Sequence, residues 1–381
     1  MKIGIVTEKT HGETRVAASP DTCKLLKNIA ENVLVESGAG LDANFSDAEY
    51  IANGAEIADA EKILKTCDII LKVRAPSINE ASLLKNGATI IGLLVDEQTP
   101  EVLKKYNEQK INSFALEYLP RITRAQSMDV LSSQSNLAGY KAVIEAVNYY
   151  GRVVPMMVTA AGTIRPAKFL ILGAGVAGLQ ALATAKRLGG VVSVFDVRPE
   201  VKEQVQSLGG IFVEVPTDHN KDEQLKENSP YAKEMSKEYQ LKQKDLINQT
   251  IRTQDIIITT ALIPFKKAPI LITKDMVKTM LPGSIIVDLA AGMGGNCELT
   301  IPNEIVQKYG VNIMGFDNIT SKLAQEASRL YARNIFNFMS LIISEKLARL
   351  KINFDDEIIQ KTMLTHNGKT IHPAFRQEIL S

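Results

Sequence analysis

The segment Lys168-Phe-Leu-Ile-Leu-Gly173-Ala-Gly175-Val-Ala-Gly178 ends an apolar run with three glycines at GxGxxG spacing and leads into a helical pattern over 177–188. A strand before and a helix after is the context a dinucleotide fingerprint requires. Gly173 permits a sharp turn, Gly175 lets backbone approach a pyrophosphate, and Gly178 lets helix and strand pack closely. The helix N-terminus adds unpaired N–H groups and a partial positive charge. The next strand, Val191-Val-Ser-Val-Phe-Asp196, ends in a carboxylate close to the offset of about 20 residues at which an acidic group meets the adenosine ribose. Asp196 there accepts from the ribose hydroxyls and repels a 2′-phosphate, which favours NAD(H). Arg198 leaves the opposite reading open, because a guanidinium can meet such a phosphate.

A second constellation lies upstream, in Arg121-Ile-Thr-Arg-Ala-Gln-Ser-Met-Asp-Val-Leu-Ser-Ser-Gln-Ser-Asn136. Arg121, Gln126, Asp129 and Ser132 fall at intervals that put several on one side of an irregular turn entering a helix. A carboxamide, a hydroxyl and a guanidinium–carboxylate pair suit a nicotinamide amide and its ribose, which need directional hydrogen bonds. A solvated linker whose Ser and Asp cap a helix fits the same residues. The pattern alone leaves both readings open. Ser132, Ser133 and Ser135 are the candidate N-caps.

The elements that must position these groups are legible as alternation. Over 1–120, strands are expected at 3–6, 32–36, 68–73, 88–94 and 113–116, with helices at 21–29, 47–53, 56–64 and 100–109. A second βαβ series is expected to place strands at 168–172, 191–196, 211–215, 255–260, 284–289 and 311–316, with helices at 177–188, 200–208, 274–280 and 303–309. Alternation of this kind implies α/β architecture with two Rossmann-like domains and mostly parallel sheets. The charged stretch 217–245 breaks the rhythm and reads as a solvated helical insertion with a flexible part. A long helix over 327–350 and the tail after it are expected to return to the first domain. That makes the first domain discontinuous, 1–131 plus 325–381, with 132–324 as the nucleotide-binding domain.

Bulk properties narrow the field. The chain has 381 residues, 45% hydrophobic and 23% charged, and its 44 Lys and Arg balance 43 Asp and Glu to a net charge of +1. Such a balance gives no electrostatic reason for a nucleic-acid partner. Cys23, Cys67 and Cys297 form no CxxC pair, and free, buried thiols are expected. No metal site is expected, and His11, His219, His366 and His372 are scattered. No secretory signal opens the chain, and the most apolar late stretch, 335–343, is broken by Asn337 and Ser340, short of a span of about 20 residues.

The polar segment PRITRAQSMDVLSSQSNLAGY closely resembles the nucleotide-binding segment of proton-translocating NAD(P) transhydrogenases, in the NAD(H)-binding part of the alpha subunit. The resemblance extends through HGETRVAASP, MMVTAAGT at 156–163, GAGVAGLQALATAKRLG at 173–189, YAKEM at 231–235, TTALIPFKKAPILIT at 259–273 and GGNC at 294–297. It implies that Arg121, Gln126, Asp129 and Ser132 surround the nicotinamide and its ribose, with Ile122 and Thr123 beside them. It places Val176 and Ala177 by the pyrophosphate, and Asp196, Val197 and Arg198 by the adenosine ribose. Ala261 and Leu262 join the coenzyme site, and Tyr231 belongs to a mobile loop that closes over nucleotide. The resemblance further implies NADP(H) on a partner domain, membrane-spanning partner subunits, a homodimer to which the long C-terminal helix contributes, and a place on the cytoplasmic face of the inner membrane.

The alanine dehydrogenases are similar in architecture and are the competing reading, as a soluble amino-acid dehydrogenase. Their pattern matches at Arg15 and Lys72. It also needs a histidine after the strand near residue 92, where this chain reads Gly92-Leu-Leu-Val-Asp-Glu, and an aspartate before the glycine pair, where it reads Ala291-Gly-Met-Gly294-Gly295. Oxidative deamination moves protons as well as hydride and needs those groups. Transfer between two nicotinamides moves hydride alone. It needs two rings held in contact and water excluded.

Overall fold

The computed structural model describes residues 1–215, 237–263, 266–344 and 349–376. The chain divides into two compact units, Met1–Gln134 with Thr320–Ser381, and Ser135–Ile319.

In the first unit the sheet runs, edge to edge, Lys369–Thr370, Met363–His366, Asn112–Ala115, Thr89–Gly92, Ile69–Leu71, Lys2–Ile5, Asn32–Glu36 and Glu56–Ala58. From Asn112–Ala115 onward every pairing is parallel, and Met363–His366 joins antiparallel. The first strand of the chain thus lies mid-sheet, where strand order reverses, the doubly wound arrangement. Apolar cores cover both faces, one around Ile3, Val33, Phe114 and Tyr331 and the other around Ile70, Ile90, Leu103 and Tyr106. The tail supplies two strands here, and the helix Ala324–Ile342 buries Tyr331, Ile335, Phe338, Met339 and Ile342 against this core. That stripe is used within its own unit.

The second unit repeats the scheme: Ile211–Val213, Val191–Phe195, Lys168–Leu172, Ile256–Thr259, Ile285–Asp288, Val311–Gly315 and Ile305–Lys308. All pairings are parallel except the last. Order reverses between Lys168–Leu172 and Ile256–Thr259, and ligands of such sheets bind beyond the carboxyl ends of the strands at that point.

Several local expectations are corrected. The helix expected over 56–64 is a strand, Glu56–Ala58, then a helix, Ala60–Thr66, because Asp59 accepts the Lys62 N–H (2.7 Å) and caps a later start. The helix expected over 303–309 is the strand Ile305–Lys308. Tyr309 and Gly310 both have positive φ (54° and 79°), the two-residue hairpin turn that pairs Lys308 with Val311. The helix expected over 327–350 ends at Ile342, where Ile343 turns extended and Ile343–Ser344 pairs with Arg349–Leu350. A helix at Ile78–Leu83 and an exposed hairpin, Met157–Thr159 with Gly162–Ile164, add to the expected elements. All three cysteines are free and buried, and burial pushes their thiols up, Cys23 to about 12 and Cys297 to about 11. Among the described residues no helix is long and apolar enough to cross a membrane.

Candidate functional site

In the second unit the three fingerprint glycines occupy three different steric situations. Gly173 leaves the central strand at φ +107°, and a Cβ there would stand 2.5 Å from the Thr260 hydroxyl. A Cβ on Gly178 would stand 1.8 Å from the Gly173 carbonyl oxygen, so helix and strand touch backbone to backbone. A Cβ on Gly175 would meet nothing within 4 Å. Open space over Gly175, and a helix Val176–Arg187 whose first turn no side chain caps, are what an approaching pyrophosphate needs. Val176 is exposed and Ala177 half-buried at that end.

Asp196 ends the adjacent strand. One carboxylate oxygen accepts the Ala174 N–H (2.7 Å) and the other the Arg198 N–H (2.9 Å). The Arg198 guanidinium donates to both, Nε at 3.0 Å and Nη2 at 3.0 Å. The two residues that pointed to opposite coenzymes are therefore one ion pair. Val197 lies half-buried between them. Across the switch point, Leu262 is exposed and Ala261 is fixed by a side chain that the motif spacing does not single out. Fully buried Asn296 accepts the Ala261 N–H (3.0 Å) and donates to the Ala261 carbonyl (2.9 Å) and the Pro269 carbonyl (2.8 Å). Buried Asp288 holds Asn296 in turn, accepting its N–H (2.8 Å). The GGNC run was the available signal.

In the first unit the polar segment folds as a 3-10 helix, Thr123–Met128, leading into the long helix Val130–Tyr149. Pro120, Arg121, Ile122, Thr123, Ala125, Gln126, Asp129 and Ser132 line one open pocket of about 250 Å³. Six proposed site residues thus come together. The helix cap is Asp129, whose carboxylate accepts the Ser132 N–H (2.9 Å) and the Ser132 hydroxyl, rather than any of the three serines. Among the described residues the exposed Gln126 carboxamide has no protein partner. The pocket lining contains no histidine. Tyr231 lies outside the described residues.

Two buried features adjoin this segment in sequence or charge. Arg15 and Lys72 are both ion-paired inside the unit, Arg15 to Glu13 (2.6 Å) and Lys72 to Glu8 (3.3 Å) and Glu80 (3.6 Å). Burial opposes ionisation of Glu13, but hydrogen bonds and charge from Arg15, with Arg74, hold its carboxyl at about 2. Glu117, just before the pocket, is pushed up to about 7 by burial, and its Oε2 has no hydrogen-bond partner among the described residues. An acid whose folded pKa exceeds its unfolded one favours the fold at low pH and loses that contribution as pH rises through about 4.5 to 7. Glu117→Gln should therefore raise Tm at pH 8, with a gain on the order of 2 kcal/mol, and leave Tm at pH 4 nearly unchanged. Thermal melts at the two pH values check this, and an equal shift at both would refute it.

Two family models match, the Alanine dehydrogenase/PNT N-terminal domain over residues 4–138 and C-terminal domain over 142–373. The chain belongs to the alanine dehydrogenase/PNT family. Within that family it is 46% identical to the first of the chains that make up the NAD(P) transhydrogenase subunit alpha of Rhodospirillum rubrum, with 98% of each chain covered. It is 27% identical to an alanine dehydrogenase of Methanococcus maripaludis, covering 98% of this chain and 95% of that one. The crystal structure of the transhydrogenase from Sinorhizobium meliloti superposes with a TM-score of 0.85 at 43% identity, covering 98% of this chain and all of that one. Family membership and the two doubly wound sheets agree on a Rossmann-type oxidoreductase scaffold, and the likeness lies with the transhydrogenase alpha subunits. Gly292 lies in the run before the glycine pair, where the alanine dehydrogenase pattern needs an aspartate. A Cβ there would stand 1.8 Å from the Asp317 carboxylate, so that space is already filled.

Proposed function

We propose that this chain is the NAD(H)-binding subunit of a proton-translocating transhydrogenase, exchanging hydride between NAD(H) and NADP(H) bound on a partner domain. The observation that carries the reading is the pocket of residues 120–132, rich in directional hydrogen-bonding groups and free of a histidine acid–base group, in a chain 46% identical to a transhydrogenase alpha subunit over its length. When bound, NADH supplies the hydride. The chain's own residues bind and orient. The uncapped helix start at Val176 and Ala177 and the open backbone at Gly175 receive the pyrophosphate, and Asp196 with Val197 and Arg198 the adenosine ribose. Ala261 and Leu262 border the coenzyme. Arg121, Gln126, Asp129 and Ser132, with Ile122 and Thr123, hold the nicotinamide and its ribose. No group is needed to take a proton, because hydride moves between two like rings; contact geometry and exclusion of water set the rate.

Membrane-spanning partner subunits couple this transfer to proton movement and hold the chain at the cytoplasmic face of the inner membrane. A second copy of the chain completes a homodimer. The hairpin Met157–Thr159 and Gly162–Ile164 supports that, since Met156, Met157, Val158 and Ile164 all stand exposed, Val158 at 77%.

The direct test mixes the chain with an NADP(H)-binding transhydrogenase subunit and follows hydride transfer between the nucleotides; no acceleration over the separate components refutes the reading. Alanine-dependent NADH production by the chain alone would favour the amino-acid dehydrogenase instead. Gln126→Ala should slow transfer about tenfold or more while weakening NADH binding less than about threefold, because its carboxamide sets ring placement. Equal losses in rate and affinity would remove that role.

A further inference from the structure

We infer that Asn334 and Asn337 are positioning residues for the nicotinamide loop, an assignment that rests on the coenzyme reading of the pocket above. Both lie on the helix Ala324–Ile342, three residues apart and so on one face. Both side-chain amides donate to a single acceptor, the Ser127 carbonyl, Asn334 Nδ2 at 2.8 Å and Asn337 Nδ2 at 2.9 Å. Ser127 follows Gln126 in the 3-10 turn that lines the pocket. A carbonyl oxygen has two lone pairs, and here each has a donor. The peptide plane after Ser127 is therefore fixed in direction, and with it the backbone from which Gln126 and Asp129 project.

The residue types are unexpected for packing alone. Asn334 is 7% exposed on a stripe whose other members are Tyr331, Ile335 and Phe338, and its Oδ1 has no hydrogen-bond partner among the described residues. Burying an unpaired amide oxygen costs stability, and an apolar side chain there would remove the cost. What the asparagine provides in return is a donor aimed at the loop. A second tether acts on the other side of Gln126: the Arg124 guanidinium grips Asp356 in bidentate fashion at 2.6 and 2.7 Å. Gln126 thus sits between two anchored positions, 124 and 127, while its own carboxamide stays unengaged by protein. A side chain left free on a backbone held this firmly is arranged to meet a ligand in one orientation.

The test uses the full chain and two substitutions at the half-buried position, Asn337→Ala, which removes one donor, and Asn337→Asp, which keeps the shape and turns an acceptor toward the Ser127 carbonyl. Two quantities are read: hydride transfer from saturating NADH to NADP+ on an NADP(H)-binding transhydrogenase subunit, and affinity for ADP-ribose, which lacks the nicotinamide. Transfer should fall roughly tenfold in Asn337→Ala and further in Asn337→Asp, while the ADP-ribose Kd stays within about twofold of wild type. Unchanged transfer in both variants, or ADP-ribose affinity falling in step with rate, overturns the assignment. Failure of the wild-type chain to bind NADH or pass hydride would instead sink the coenzyme reading itself, which the wild-type control reports separately.

Discussion

Gly178→Val should abolish NADH binding and destabilise the second unit, whereas Gly175→Ala should weaken binding and leave stability untouched. The two glycines stand three residues apart in one motif but face different matter. At Gly178 an added Cβ would lie 1.8 Å from the Gly173 carbonyl oxygen and 3.4 Å from Ile171 Cγ2. Gly173 cannot retreat, because its φ of +107° suits glycine and its carbonyl already accepts the Thr260 hydroxyl at 3.1 Å. Helix and strand must part, with overpacking costs of about 1–3 kcal/mol or more and a Tm drop of several degrees for a unit of this size. At Gly175 no protein atom lies within 4 Å of the added methyl, and φ is an ordinary −75°. Only a ligand pressed against that backbone would feel it. Calorimetry and an NADH titration on both variants give the outcome; Gly175→Ala binding NADH as wild type does would remove the pyrophosphate from this turn.

The same contrast explains what was readable in the chain. The glycine motif was legible because Gly173 and Gly178 answer local steric demands, and Asp196 because strand length fixes where the carboxylate emerges. The Arg121–Ser132 constellation was legible as a run of polar side chains without apolar period. Strands such as Ile285–Asp288 and Lys168–Leu172 were legible as short apolar runs between turn signals. Ile305–Lys308 was not, since Pro302-Asn303 before it and a polar stretch within it look like a helix start; two left-handed residues at Tyr309 and Gly310 decide for a hairpin. The supports of the site were hidden for a different reason. Asn296 acts on Ala261, 35 residues earlier, and Asn334 acts on Ser127, 207 residues earlier, each through backbone. No spacing rule connects such pairs; only the folded topology does. The helix cap lies upstream of its expected place because Asp129 and the serines after it are all good caps, and the carboxylate, preceding them, takes the role.

Asp196→Ala should convert the site's coenzyme preference as well as weaken it. Both oxygens of this carboxylate are doubly engaged, by the Ala174 and Arg198 N–H groups and twice by the Arg198 guanidinium. The ribose hydroxyls of NADH can reach Asp196 only by displacing the guanidinium, an exchange of one pair of charge-assisted bonds for another. A 2′-phosphate faces a harder exchange, since it must draw Arg198 away and then sit beside the carboxylate left behind. On the proposed coenzyme reading, selectivity against NADP(H) would come from the pair, with the arginine neutralised rather than absent. Deleting the carboxylate removes bonds worth roughly 1.5–3 kcal/mol to NADH, about a tenfold to hundredfold loss of affinity. It also removes the carboxylate that engages a guanidinium suited to bidentate phosphate contact, so NADPH should bind more tightly than to wild type. Arg198→Ala should act the other way, leaving Asp196 open to the ribose and NADPH still excluded. Parallel NADH and NADPH titrations of the two variants decide the matter, and an Asp196→Ala protein that binds NADPH no better than wild type would show that the phosphate is excluded by shape instead of charge.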